Sequence, residues 1–123
     1  MSYVTQITAF VMTHDLNASV SFFETVLEFK CGLRQENYAF MSLPGGALRL
    51  IEVDQDCDIG EQMIYFDTDN VDGLYIKLRP QLDRLPEGRV RAPFDQPYNM
   101  REFHVKDPDN CLLLFGMEIP PSH

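Results

Sequence analysis

A chain of 123 residues has the length of one domain and can bury about two-thirds of the surface it exposes when unfolded, so neither metals nor disulfides are needed to hold a core. Apolar residues at 45% and charged residues at 24% exclude a disordered, collagen-like or coiled-coil chain. Nineteen acidic against ten basic residues leave a net charge of −9, which disfavours nucleic acid and anionic membrane surfaces as partners and favours cations or a basic face.

In chain order, Met1 to Gln6 lacks a basic start followed by an apolar stretch, and the longest purely apolar run is Cys111 to Phe115. Neither a signal peptide nor a membrane span is expected. Thr5 to Met12 alternates, with Ile7, Ala9 and Val11 on one side and Gln6, Thr8, Phe10 and Met12 on the other, which is strand periodicity. Asp15 or Asn17 then caps a helix whose apolar positions Leu16, Val20, Phe23 and Leu27, widened by Phe22, Val26 and Phe29, form a stripe that packs on a sheet. That helix is expected to end near Gly32. Tyr38 to Leu43 and Leu48 to Val53 flank Pro44-Gly45-Gly46 and read as a β-hairpin.

The second half repeats this order. Gln62 to Asp67 is a strand, Asp69 or Asn70 a second cap, and Val71, Leu74, Leu78 and Leu82 mark a helical face that Pro80 kinks or ends. Leu85 to Tyr98 reads as a loop rich in Pro, Gly and Arg. Arg101 to Lys106 and Cys111 to Met117 then flank Asp107-Pro108-Asp109-Asn110, a second hairpin with a four-residue turn. The helix starts Asp15-Leu16 and Asn70-Val71 lie 55 positions apart, so the chain is a duplicated module of about 55 to 60 residues. Cys31, Cys57 and Cys111 are odd in number and form no CxxC, which fits reduced thiols in a cytoplasmic protein rather than a zinc knuckle or a disulfide set. No GxSxG, GxGxxG, HExxH or phosphate loop is present. His123, at the C-terminal end, is expected to be disordered.

The twice-used strand-helix-hairpin unit, with Asp15-Leu16 and Ser21-Phe22-Phe23-Glu24-Thr25-Val26-Leu27-Glu28-Phe29 in the first copy and Phe103 to Leu112 around the Asp107-Pro108-Asp109-Asn110 turn in the second, resembles the vicinal oxygen chelate superfamily. That group contains glyoxalase I, extradiol dioxygenases and bleomycin-resistance proteins. The resemblance implies an α+β fold of two tandem βαβββ modules, about residues 1–56 and 61–119 of one domain, whose curved mixed sheets enclose a cavity near the interface of a homodimer. It also implies a small-molecule ligand.

Metal-dependent members of that family place a His, Gln or Glu at each of four cavity-facing positions, which align here with Thr8, Ile51, Met63 and Leu114. A hydroxyl, two aliphatics and a thioether do not replace the water shell of the divalent ions used in such chemistry. The chain therefore looks like the metal-free, bleomycin-resistance-like branch, which binds without converting, with no cofactor and no catalytic residue; sequestration of an antibiotic or a metabolite is the implied role. The alternative is a metal-dependent lyase or dioxygenase in which a one-residue slip brings Gln62, Glu52 and His104 inward with His14. If Thr8 marks the cavity face, alternation adds Phe10 on its strand, Arg49 beside Ile51, Tyr65 beside Met63, Arg101, Phe103 and Val105 on the penultimate strand, and Leu112 beside Leu114. Tyr98 is a candidate lid residue. Arg49 and Arg101 each require either a carboxylate partner, with Asp67, Glu52 and Glu102 as candidates, or an anionic ligand. The acidic stretch from Glu52 to Glu61 pulls the other way, toward a cationic ligand.

Overall fold

The structure, a computed structural model, describes residues 3–121; His123 lies outside the described residues. The chain divides into two compact units, Met1–Gly60 and Glu61–His123. In the first, β1 (Thr8–Thr13), α1 (Leu16–Thr25), β2 (Lys30–Gln35), β3 (Tyr38–Leu43) and β4 (Gly46–Glu52) form a sheet of order β1-β4-β3-β2. In the second, β5 (Met63–Asp67), α2 (Val71–Leu82), β6 (Val90–Asp95), β7 (Met100–Lys106) and β8 (Leu112–Glu118) repeat that order as β5-β8-β7-β6. Each sheet is mixed, with one parallel pair, β1 with β4 and β5 with β8, and the rest antiparallel. This is the α+β fold of two βαβββ modules.

Local chemistry sets the helix starts. Asp15 accepts a hydrogen bond from the Ala18 amide at 3.1 Å and Asn70 one from the Gly73 amide at 2.9 Å, each satisfying a donor that the first turn leaves unpaired. A Cβ at Gly73 would lie 2.5 Å from the Asn70 amide nitrogen, so any larger residue there would displace the capping side chain. The first helix stops at Thr25, short of the expected end. Glu28 turns the chain at φ 61°, and Leu27 and Phe29 are buried from this non-helical segment. The second helix runs through Pro80 to Leu82, since a proline in the last turn removes only one helical hydrogen bond.

Two strands were not expected: β6 lies inside the stretch read as loop, and β2 begins where the first helix was expected to continue to near Gly32 and runs on through residues given no element. Both are sheet edges, both carry a register break, and the residues of β2 are almost all exposed, so neither shows the alternation of a half-buried strand. Each helix covers one face of its own sheet. Val11, Phe23, Met41 and Leu50 in the first unit, and Val71, Leu82, Phe103 and Leu113 in the second, are fully or almost fully buried.

The β7–β8 turn differs from its expected form by one residue. The Asp107 amide donates to the Cys111 carbonyl at 3.0 Å, which closes a three-residue loop of Pro108, Asp109 and Asn110, with Asn110 left-handed at φ 66°. Asp107 is buried. One carboxylate oxygen accepts from the Asp109 and Cys111 amides, both at 2.8 Å, and the other has no hydrogen-bond partner among the described residues. Desolvation raises its pKa to about 6, against the lowering effect of the two amides. Because the folded value lies above the unfolded 3.8, the folded state binds the extra proton between these values, and stability falls as pH rises through that window. Asp107→Asn is therefore expected to stabilise the protein at pH 7 by about 1–2 kcal/mol, less than the full linkage because the new amide also lacks a partner. By pH 4 the gain should vanish, as urea denaturation at the two pH values would register.

Candidate functional site

The sheet face turned away from the helix carries the notable side chains in both units. In the first, period-two alternation puts Thr8, Phe10 and Met12 on that face, with Arg49 and Ile51 from β4 and Tyr38 and Phe40 from β3. Register agrees: Phe10 stands opposite Arg49, Phe40 opposite Arg49 on its other side, and Tyr38 opposite Ile51. Arg49 is fixed by neutral groups. Its Nε donates to Thr8 Oγ1 at 2.9 Å, its Nη1 to the Tyr38 hydroxyl at 2.6 Å, and its guanidinium lies 5.1 Å from the Phe40 ring centre. None of the carboxylates expected as partners is among these contacts. Phe10 beside it is 61% exposed.

In the second unit the corresponding face centres on a carboxylate. Glu102 is fully buried, yet it lies on the face away from α2. Its Oε1 accepts from Gln96 Nε2 at 3.1 Å and from His104 Nε2 at 2.8 Å, and its Oε2 accepts from the hydroxyls of Tyr65 at 3.0 Å and Tyr98 at 2.8 Å. Burial alone would raise its pKa; the hydrogen bonds from His104, Gln96, Tyr98 and Tyr65 overcome that and hold it below the ordinary carboxylate value. Burial and the hydrogen bond to Glu102 raise the Tyr65 pKa. Phe94 meets the His104 ring edge-on at 5.0 Å and Arg91 lies 3.5 Å over Phe94. Gly116 makes room for the cluster, since a Cβ there would fall inside the Tyr65 hydroxyl.

Of the residues expected on these faces, Thr8, Phe10, Arg49 and Ile51 share one in the first unit, and Met63, Tyr65 and Leu114 share one in the second. Tyr98 sits in the β6–β7 turn and reaches that second face through Glu102. Arg101, Phe103 and Val105 require correction: they lie on the helix side. Arg101 pairs with Asp72 of α2 and with Asp95, each at 3.0 Å. Phe103 is fully buried, stacked on Phe115 with ring centres 4.7 Å apart and packed against Tyr75 of α2 at 5.4 Å. The three-residue turn is the cause. It pairs Leu114 with His104 and Phe115 with Phe103, where a four-residue turn would have set Leu114 opposite Phe103. Glu102 was expected only as a candidate partner for an arginine, and Gln96, Tyr38 and Phe40 were not expected on these faces; counting register outward from the Pro44-Gly45 turn would have placed the last two.

The same register locates Arg49, rather than Ile51, at the position that corresponds to Leu114. Arg49 follows Phe10 across the β1–β4 pair as Leu114 follows Tyr65 across β5–β8, and Phe10 and Tyr65 are 55 positions apart. Whichever residue is taken, the first-unit pair of Thr8 with Ile51 or Arg49 and the second-unit pair of Met63 with Leu114 have the wrong donor chemistry for the family's divalent ion. Among the described residues, no three His, Cys, Asp or Glu side chains group so as to hold a metal ion. Of the slipped set, Glu52 accepts from the Leu16 amide at 2.7 Å, and the ring of His14 contacts the Cys57 carbonyl at 2.8 Å. Among the described residues no helix is long and apolar enough to cross a membrane.

Comparison with known proteins agrees with this architecture. The family model for the Glyoxalase/Bleomycin resistance protein/Dioxygenase superfamily matches residues 4–115, and the chain belongs to that superfamily. Among solved structures, a bleomycin resistance determinant encoded on the transposon Tn5 superposes with a TM-score of 0.78 at 18% identity, covering 94% of this chain and 98% of that one. A glyoxalase/bleomycin resistance protein/dioxygenase from Nocardioides gives 0.76 at 21% identity, over 99% and 88% of the two chains. Lactoylglutathione lyase from Agrobacterium tumefaciens gives 0.71 at 18%, over 93% and 94%. At these identities the likeness establishes the fold. No curated protein matches the chain.

Proposed function

We propose that the protein binds a small organic molecule on the helix-free faces of its sheets, without a metal ion and without converting its ligand. The observation that carries this reading is the donor set: the family's four ligand positions hold Thr8, Met63, Leu114 and either Ile51 or Arg49, while aromatic side chains and preset polar groups surround them. On this reading the two units act together as one domain of a cytoplasmic homodimer, and the role is sequestration of an antibiotic or a metabolite. Metal analysis of purified, dialysed protein should find less than a tenth of a divalent ion per chain. Thermal denaturation against a panel that includes metal-free bleomycin should give a ligand-dependent rise in Tm. A stoichiometric divalent ion, together with lactoylglutathione formation from methylglyoxal and glutathione, would overturn the reading.

The second reading is a metal-dependent lyase or dioxygenase, favoured by one contact. His104 and Glu102, 2.8 Å apart, are the imidazole and carboxylate that share the second-unit face. It predicts that His104→Ala abolishes both metal content and turnover.

A further inference from the structure

We infer that the first-unit face is a binding site for an oxyanion carried on an aromatic or apolar body, with Arg49 as the group that takes the charge. This rests on the small-molecule reading above and assigns its ligand class. Arg49 is half-buried, and a guanidinium partly withdrawn from water commonly sits against a carboxylate; the chain has nineteen to offer, yet the described contacts of Arg49 are two hydroxyls and a ring. Those contacts fix the orientation of the planar fork without cancelling its charge. They use the Nε hydrogen and one hydrogen on Nη1, leaving the second Nη1 hydrogen and both on Nη2 with no acceptor among the described contacts. A carboxylate or phosphate is the acceptor whose geometry matches a paired guanidinium edge.

The surroundings specify the rest of the ligand. Phe10, the cross-strand partner of Arg49, is 61% exposed, and Phe40 and Ile51 flank the same row. These offer ring and aliphatic surface, so the oxyanion is expected to be attached to an aromatic ring rather than to be free in solution. The site opposes the protein's overall field. A net charge of −9 would draw a cation to any featureless surface, so a preference for an anion here must come from Arg49.

The test uses two probes with the same ring system and opposite charge, 2-naphthoate and 2-naphthylmethylammonium, titrated into the intact protein at fixed ionic strength while backbone amide resonances are followed. Naphthoate is expected to bind at least tenfold more tightly than the ammonium and to shift amides of β1, β3 and β4. Arg49→Met should weaken naphthoate at least tenfold and abolish the charge preference. Tyr38→Phe, which keeps the charge and frees the fork, should weaken it about threefold, and this variant decides the matter if Arg49→Met fails to fold. Tighter binding of the ammonium, an unchanged Kd in Arg49→Met or Tyr38→Phe, or shifts confined to the second unit would overturn the assignment while leaving a metal-free binder intact. If neither probe binds, the oxyanion site is rejected, and metal content and the wider panel decide the binding function separately.

Discussion

Truncating Phe103 to alanine is expected to lower the unfolding free energy by about 4 kcal/mol, a large share of the ~5–15 kcal/mol that keeps a domain folded. The ring is fully buried and lies between Phe115 and Tyr75, with Phe66 stacked on the far side of Phe115 at 4.4 Å. Removing it deletes the end of the Phe66–Phe115–Phe103 stack that meets Tyr75 of α2, where neighbouring rings are too stiff to fill the space. Urea denaturation followed by far-ultraviolet circular dichroism would measure the loss. The result also decides the strand's face: a Phe103 that lined a ligand site would cost binding and little stability, so a change below about 1 kcal/mol would contradict the helix-side placement.

Glu102→Ala should cost about 3 kcal/mol, because it strands the donors of Gln96, His104, Tyr65 and Tyr98, some of which water can reach and partly satisfy. Glu102→Gln should cost about 1 kcal/mol, since the amide still accepts on one side and the hydroxyls can turn to accept on the other. The two variants also separate charge from hydrogen bonding as pH falls. Glu102 has a folded pKa below its unfolded value of 4.5, so its contribution is fully present above that value and is lost as pH falls through the folded one. In Glu102→Gln this component of acid destabilisation disappears, leaving a shallower decline below pH 4.5 in chemical denaturation. An equally steep decline in wild type and Glu102→Gln would remove Glu102 from the acid response.

Much of the architecture was legible in the residues. The cap residues Asp15 and Asn70, the apolar helix stripes behind them, and the two hairpin turns, repeated 55 positions apart, carried the duplicated fold. The edge strands β2 and β6 were not legible, because β2 is exposed almost throughout and the half-buried Val90, Pro93 and Phe94 of β6 do not alternate, so neither has a period-two pattern to read. On the first-unit face, alternation along Thr8, Phe10 and Met12 and along Arg49 and Ile51 put these residues on one face, but the turn read over Pro44-Gly45-Gly46 closes over two residues, and only that register set Arg49 rather than Ile51 opposite Phe10.

The second-unit face shows where sequence stops. Alternation in β7 offers two sets, Arg101-Phe103-Val105 and Glu102-His104-Lys106, and period two by itself does not say which set faces the helix. One residue in the turn decides it. Asn110 adopts the left-handed conformation, the loop closes over three residues instead of four, and every side chain of β7 changes sides relative to Leu114. Arg101 thereby becomes an ion-pair partner of α2, Phe103 becomes core, and Glu102 gathers four donors from three segments of the chain. By itself the sequence determined the residue types along each strand, with Thr8, Met63 and Leu114 offering no donor suited to a divalent ion; which residue of β4 stands at the fourth position depended on register, which selected Arg49 over Ile51. Only the tertiary structure decided that Arg49 is held by hydroxyls and Arg101 by carboxylates, because that depends on which strands and helices meet.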